Sequence, residues 1–175
     1  NAVGRYMQYE RILNSLKNRL RMEEYIKLHP EILQEQLLPP VVIVGMTRTA
    51  RCQQAGGDAA IHYLQSYWKL APDEALVIYA SEIPDCKTWN FQLSNYWMES
   101  LDYRYYRISL NKHSAVYADD GSVTVVVAHQ DPGAKYPNWL HTTGHDQGGM
   151  LWRWVESTNQ DYPPVNCKVV KFSDL

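Results

Sequence analysis

The sequence predicts an α+β chain that is mainly β: an antiparallel, jelly-roll-like β-sandwich preceded by a helical segment and one strand. Two observations support this prediction. After residue 50, short apolar or alternating segments are separated by turn residues, a pattern typical of sandwiches and barrels. Before residue 50, the apolar residues recur at helical spacing instead. We therefore predict two domains, residues 1–49 and residues 50–175.

Composition narrows the class of protein. A net charge of −2 and 45% hydrophobic residues are typical of a globular chain and argue against an extended nucleic-acid-binding surface. The 3 cysteines have no CxxC spacing, so we expect neither a disulfide framework nor a zinc ribbon. No apolar run approaches the roughly 20 residues of a membrane helix, and the first residues show no signal peptide. We expect a soluble, cytoplasmic protein that binds neither nucleic acid nor membranes.

The first domain is predicted to hold a helix and one buried strand. The helix has an apolar stripe at three- and four-residue spacing, formed by Tyr6, Tyr9, Leu13, Leu16 and Leu20. Self-association through this stripe is one expected role of the helix. Pro30 ends it, because the residue before a proline avoids the α region. The run at 41–44 is apolar on both faces, as in a buried parallel-type strand, and Gly45 ends that strand.

The second domain is predicted to begin with a helix and to continue as strands. Asp58 is a candidate N-cap for a helix through Leu64. Asp119-Asp120-Gly121 predicts a hairpin turn between strands at 114–118 and 122–128. The remaining strands are predicted at 75–80, 88–95, 150–155 and 168–172.

The first domain resembles the start of a sulfotransferase domain. The resemblance rests on His29-Pro30-Glu31-Ile32, a spacer to Pro39-Pro40, and a strand that runs into Gly45-Met46-Thr47-Arg48-Thr49. In that family such a strand leads into a phosphate loop, whose backbone N–H groups, hydroxyls and cation hold the 5′-phosphate of the sulfate donor. The resemblance thus assigns Gly45, Arg48 and Thr49 to nucleotide binding.

The phosphate loop departs from the family pattern after Thr49. The family continues with Gly-Thr-Thr, whereas this chain has Ala50-Arg51-Cys52, without the glycine and the hydroxyls that hold the phosphate. The resemblance therefore implies sulfate transfer, with an activated nucleotide donor, only for a full-length parent with a complete domain. For this chain we expect no activity and no cofactor.

Residues from about 54 onward resemble an uncharacterised bacterial β-sandwich domain of unknown function. Such domains often form the C-terminal half of larger proteins, sometimes after a sulfotransferase domain. The resemblance rests on Ala75-Leu76-Val77-Ile78, residues 96–103, Asp120-Gly121-Ser122-Val123, Asp131-Pro132-Gly133, Asn138-Trp139-Leu140, Gly144-His145 and the strand with Arg153. The family has no established catalytic residue, so the resemblance assigns none here.

Amide side chains beside aromatic rings are the candidates for ligand binding. Strict alternation over 88–95 puts Trp89, Phe91 and Leu93 on one face and polar residues on the other. Asn90, Gln92 and Asn95, with Trp97 nearby, suit a carbohydrate or another small polar ligand, although such residues more often form the solvated face of an antiparallel strand. The remaining candidate ligand-binding residues are Asn138, Trp139, His141, His145 and Arg153.

The histidine spacing offers two readings. His141 and His145 are four residues apart, which on a helix would put two imidazoles on one face, as metal sites require. Here Thr142-Thr143-Gly144 predicts a loop, and no glutamate holds the HExxH position, so we expect loop hydrogen bonds rather than a metal site. The cysteines have no local signature and no Gly-x-Ser-x-Gly occurs, so no catalytic residue is predicted.

These observations predict a non-catalytic accessory or ligand-binding module of a sulfotransferase-like protein. Two alternatives stay open. A full-length parent would be the sulfotransferase, or the chain would be a structural or oligomerisation module.

Overall fold

A computed structural model of the chain describes residues 52–53, 56–158, 162–163 and 165–175. All of these belong to the second of two units into which the chain divides, Pro40–Leu175. The predicted helix at 6–20, the strand at 41–44 and the phosphate-loop residues Gly45, Arg48 and Thr49 lie outside the described residues.

The described part is mostly β and contains two four-stranded sheets. The elements, in chain order, are β1 (Ile61–Lys69), β2 (Glu74–Ala80), β3 (Cys86–Asn95), β4 (Ser109–Asn111), β5 (Val123–Ala128), β6 (Trp139–His141), β7 (Gln147–Ser157), β8 (Val165–Lys171) and a 3-10 turn, Phe172–Asp174. Sheet A has the order β1-β7-β3-β4, and sheet B has the order β6-β5-β2-β8. Within the described ranges, no helix has the length and apolar character needed to cross a bilayer.

One hydrophobic core lies between the inner faces of the two sheets, as in a sandwich. Sheet A supplies the buried aromatic side chains of this core together with non-aromatic ones, and sheet B supplies aliphatic ones. The sheet A contributors include Trp68, Trp89, Phe91, Trp152 and Trp154, and those of sheet B include Leu76, Ile78, Val123, Val125 and Leu140. The predicted alternation of β3 is confirmed, because Trp89, Phe91 and Leu93 are all buried.

The predicted helix after Asp58 is wrong, because residues 61–69 form β1. Asp58 does not cap a helix; its Oδ1 accepts a hydrogen bond from the Ala60 backbone N–H at 2.8 Å and shapes a turn. Alternate residues of β1 from His62 to Trp68 are buried, a period of two that matches pairing with the neighbouring β7. Pairing with a distant strand therefore decides the conformation of this segment.

The sandwich is not wholly antiparallel, which corrects a second expectation. β6 pairs with β5 in parallel, with Trp139 opposite Val126 and His141 opposite Ala128. Residues 129–138 carry the chain back along β5, so that β6 starts at the same end and runs in the same direction. Every other strand pair of the described sheets is antiparallel.

The remaining strand predictions are confirmed in all but one segment. β2, β3, β5, β7 and β8 cover the predicted positions within a few residues. The turn at Asp119–Gly121 is confirmed, with Gly121 at a φ of 82°. Residues 114–118, however, form no strand, because the Asn111 side chain accepts hydrogen bonds from the His113 and Ser114 backbone N–H groups and bends the chain there.

Candidate functional site

The outer face of sheet A carries a cation at its centre. β7 lies between β1 and β3, and the outward side chain of Arg153 stands between Tyr63 of β1 and Asn90 of β3. In the next outward row, Leu151 stands between Gln65 and Gln92. We call Arg153, Asn90 and Gln92 the Arg153 cluster.

Hydrogen bonds hold the Arg153 cluster together. Arg153 Nη1 donates to Asn90 Oδ1 at 3.0 Å and to Gln92 Oε1 at 2.9 Å. Both acceptors are neutral amide oxygens. Among the described residues, no carboxylate forms an ion pair with this guanidinium. Burial lowers the pKa of Arg153, since the charged form loses part of its hydration, although Tyr63 and Cys52 act in the opposite direction.

The turn that precedes β1 covers the β1 side of this face. Tyr63 points outward from the sheet and is still only 8% exposed. Its hydroxyl accepts a hydrogen bond from the Asp58 backbone N–H at 3.0 Å. Gly57 allows this close approach, because a Cβ there would lie 3.1 Å from the Tyr63 hydroxyl and 2.7 Å from the Cys52 carbonyl oxygen. The side of the face toward β4 is the open one, with Ser109 and Asn111 exposed.

A second turn, residues 96–99, folds over the far end of the same face. The Met98 sulfur there accepts a hydrogen bond from Gln65 Nε2 at 3.4 Å. Gly149 makes room for Ser94 of β3 at the base of this turn, because a Cβ on it would lie 2.6 Å from Ser94 Oγ. The Arg153 cluster therefore occupies a polar patch bounded by turns on two sides.

Asn95 and Trp97 lie apart from the Arg153 cluster. Asn95 pairs with Gly148, five residues along β7 from Arg153 and thus about 17 Å away. The Asn95 side chain fixes its own turn, accepting from the Trp97 and Glu99 backbone N–H groups at 2.9 and 3.0 Å. Trp97 is 52% exposed and packs edge-on against Tyr96.

Asn138 is a buried structural residue. Its Oδ1 accepts from the Val116 backbone N–H at 2.7 Å, and its Nδ2 donates to the Val116 and Thr124 carbonyl oxygens at 2.7 and 3.0 Å. At 2% exposure its amide is sealed inside the loop it stabilises. A ligand has no access to this side chain in the folded domain.

Trp139, His141 and His145 belong to sheet B and the loop after it. Trp139 lies on the outer face of that sheet, and its indole N–H donates to the Ala128 carbonyl oxygen at 3.3 Å. His141 Nδ1 accepts from the Thr143 backbone N–H at 2.8 Å, while His145 is exposed. Within the described ranges, no group of three His, Cys, Asp or Glu residues is placed to hold a metal ion.

His141 is held in its neutral form by its surroundings. Its ring stacks on Tyr106, with ring centres 4.6 Å apart. Burial lowers the pKa of His141, and the neighbouring His129 adds to this effect. Protonation would also remove the acceptor for the Thr143 N–H, so the ring is a structural part of the loop at neutral pH.

A surface cavity of about 410 Å³ was not foreseen from the sequence. Residues 82–86, Lys112, Tyr117, Asp120 and Gly121 line it. Lys112 Nζ is already committed to the Cys86 and Lys87 carbonyl oxygens, at 2.9 and 3.3 Å. Burial raises the pKa of the Cys86 thiol, which keeps the sulfur protonated and unreactive. The cavity therefore holds no activated nucleophile.

Comparison with known proteins finds relatives only among solved structures: no protein-family model and no curated protein matches the chain. A crystal structure of an uncharacterised protein from Burkholderia cenocepacia matches 72% of this chain at 52% identity, with a TM-score of 0.67. The VPA0106 protein from Vibrio parahaemolyticus matches 64% of the chain at 18% identity, with a TM-score of 0.48. This chain spans only about a third of either protein, 34% and 31% respectively.

The match to the Burkholderia cenocepacia protein supports a shared fold. The C-terminal part of the chain shares its fold with an uncharacterised protein. That agrees with the expected domain of unknown function within larger proteins. The comparisons give no support to a sulfotransferase origin of residues 29–49.

Proposed function

We propose that the β-domain is a non-catalytic accessory module that binds a small polar ligand, such as a carbohydrate, on the outer face of sheet A. The single observation behind this proposal is the Arg153 cluster. It combines a half-buried cation with two amide side chains on the one outer sheet face that is polar at its centre.

The free energy needed to remove the Arg153 guanidinium from water supports a binding role. A guanidinium that is removed from water needs several strong acceptors, and a carboxylate is its usual partner inside proteins. Here two neutral oxygens share a single nitrogen of Arg153. A hydrophobic side chain at this position would satisfy the fold without that cost. The retained cation is therefore better explained by a ligand than by stability.

The composition of the face supports a non-catalytic role. Its two central rows contain Tyr63, Asn90, Asn111 and Arg153, and Gln65, Gln92, Ser109 and Leu151. Neither row contains a carboxylate or an imidazole, the groups that most often transfer protons in catalysis. Binding without chemistry is what this set of side chains can provide.

A thermal-shift screen with the full chain tests the proposal. A panel of sugars, polyols and sugar acids should contain compounds that raise the melting temperature, because a ligand bound to the folded state stabilises it. The double variant Asn90→Ala/Gln92→Ala should lose the shift. The matched control Asn166→Ala, which removes an exposed amide from β8 of sheet B, should keep it. A shift that survives the double variant places the ligand elsewhere and refutes the proposal.

The exposed turn after β3 gives the second arm of this experiment. Trp97→Ala and Asn95→Ala remove two candidate residues at the far end of β3, where Asn95 lies about 17 Å from Arg153 and about 10 Å from Gln92. If the ligand sits on the cluster, Trp97→Ala leaves the shift unchanged. Loss of the shift in Trp97→Ala alone would move the binding site to the turn.

A further inference from the structure

The Arg153 cluster presents mainly hydrogen-bond donors to a ligand, because both of its amide oxygens already accept from the guanidinium. Asn90 Oδ1 and Gln92 Oε1 both face the guanidinium, because an amide NH₂ group cannot accept from an N–H donor. Their NH₂ groups are therefore the parts of the amides left to meet a ligand. A site of this kind selects oxygen acceptors, whether carboxylate or hydroxyl oxygens.

One edge of the Arg153 guanidinium makes no hydrogen bond to the described residues. Both hydrogen bonds of Arg153 use Nη1, and within the described ranges Nη2 and Nε have no hydrogen-bond partner. These two nitrogens carry parallel N–H groups whose spacing matches the two oxygens of a carboxylate. A hydroxyl group can use only one of them at a time.

Charge points to the same class of ligand. The cation is half-buried, its pKa is lowered by burial, and no carboxylate of the described residues balances it. An arriving anion would compensate the charge, and at a partly desolvated site that interaction is stronger than in water. A neutral sugar has no charge, so it gains nothing from this electrostatic attraction.

We propose that the ligand is a sugar acid, whose carboxylate pairs with the Nε–Nη2 edge of Arg153 and whose hydroxyls accept from the Asn90 and Gln92 amides. This inference rests on the proposed binding function and adds its chemical class. The two claims are separable, because a neutral sugar bound at the same cluster would satisfy the first and contradict the second.

Isothermal titration calorimetry on the full chain, with glucuronate and galacturonate against glucose and galactose, tests the inference. We expect each acid to bind at least roughly tenfold more tightly than its neutral sugar, as a charge-assisted bidentate pair predicts. Raising the salt concentration should weaken the acids and leave the neutral sugars unaffected. Inorganic sulfate and phosphate serve as further probes, and either one binding as tightly as the acids would overturn the carboxylate assignment.

Two variants separate charge from folding. Arg153→Gln should lose the preference for acids, with far-ultraviolet circular dichroism as the check on its fold. Asn90→Asp keeps the shape of the side chain and supplies an internal carboxylate to Arg153, so it should fold normally and weaken acid binding by roughly tenfold or more. Undiminished acid binding in a folded Asn90→Asp variant would contradict the inference.

The remaining outcomes distinguish the two proposals. If acids and neutral sugars bind equally and the double variant Asn90→Ala/Gln92→Ala weakens both, the binding function stands and the acid class is wrong. If no compound of the panel binds the wild-type chain, both proposals fail.

Discussion

The outer faces of the two sheets differ in polarity and in what covers them. On sheet B one end of the face is apolar, and the protein covers it with its own residues: Ala75, Val126 and Ala128 are buried beneath Tyr136, Trp139, Phe172 and Leu175, whereas Tyr79, Asn166 and Lys168 farther along the face are exposed. On sheet A the centre of the face is polar, and the turns that border it leave the side toward β4 exposed.

The difference lies in what each face requires from its cover. The sheet B face gains stability from any apolar cover, since removing apolar surface from water is favourable regardless of the partner. The Arg153 cluster on sheet A needs oxygen acceptors in a defined arrangement instead. The first face is satisfied within the domain, and the second is suited to a molecule from outside it.

A buried charge on the sheet B face should give the largest effect. Ala128 is 0% exposed, so Ala128→Asp would place an unpaired carboxylate under the covering residues. We expect a loss of about 3–5 kcal/mol in the free energy of unfolding, measured by urea denaturation. The same change in charge at the Arg153 cluster, Asn90→Asp, should instead raise stability by about 1 kcal/mol, because the new carboxylate meets a cation. Equal destabilisation by both variants would show that the two faces do not differ in this way.

Removal of the cover should give an intermediate effect. Phe172 packs against the apolar face of sheet B, and its backbone N–H donates to the Asp73 carbonyl oxygen at 2.8 Å. Phe172→Ala should lower the free energy of unfolding by about 2 kcal/mol, since the side chain is only partly buried and a fully buried phenylalanine would cost more. The neighbouring variant Ser173→Ala, at an exposed position, is the control and should leave the denaturation midpoint in place. A Phe172→Ala midpoint equal to that of the control would argue that the face does not depend on its cover.

Acidification should give the smallest effect, and it acts on one histidine in each sheet. The pKa of His141 in the folded state lies below its ordinary value of 6.5, as does that of His62 in β1. The unfolded chain therefore binds more protons than the folded one once the pH falls below about 6.5, and stability decreases from there toward the folded-state pKa. Denaturation midpoints measured between pH 7.5 and pH 5 should fall, and His141→Gln should reduce that fall. A flat profile in the wild type would contradict the neutral, stacked state of the ring.

The sequence predicted those features that depend on neighbouring residues. β3 was predicted well because Trp89, Phe91 and Leu93 alternate with polar residues over a long stretch. β1 was predicted as a helix, since its polar and apolar residues fit either period until it is paired with β7. The short β6 has three residues, too few to show any period, and its parallel pairing depends on the path of a ten-residue loop.

The sequence predicts which residues belong to the candidate site, but it does not predict that they lie side by side. Asn90 and Gln92 were identified as the polar face of one strand. That Arg153 joins them depends on the register between β3 and β7, which are far apart in the chain and which no local pattern aligns. Asn138 illustrates the converse, because an amide that binds backbone groups in a buried loop has the same sequence signal as one that faces a ligand.

The place of β7 within sheet A also governs when the domain can form. Ile61 at the start of β1 and Thr88 near the start of β3 both pair with Val155, close to the end of β7. As the ribosome releases the chain from its amino end, β1 and β3 emerge long before the strand that joins them. Most of sheet A can therefore assemble only after β7 has left the ribosome, and contacts between such distant segments form slowly. Until then the edges of β1 and β3 that β7 will occupy are unpaired, and an unpaired strand edge can pair with another chain.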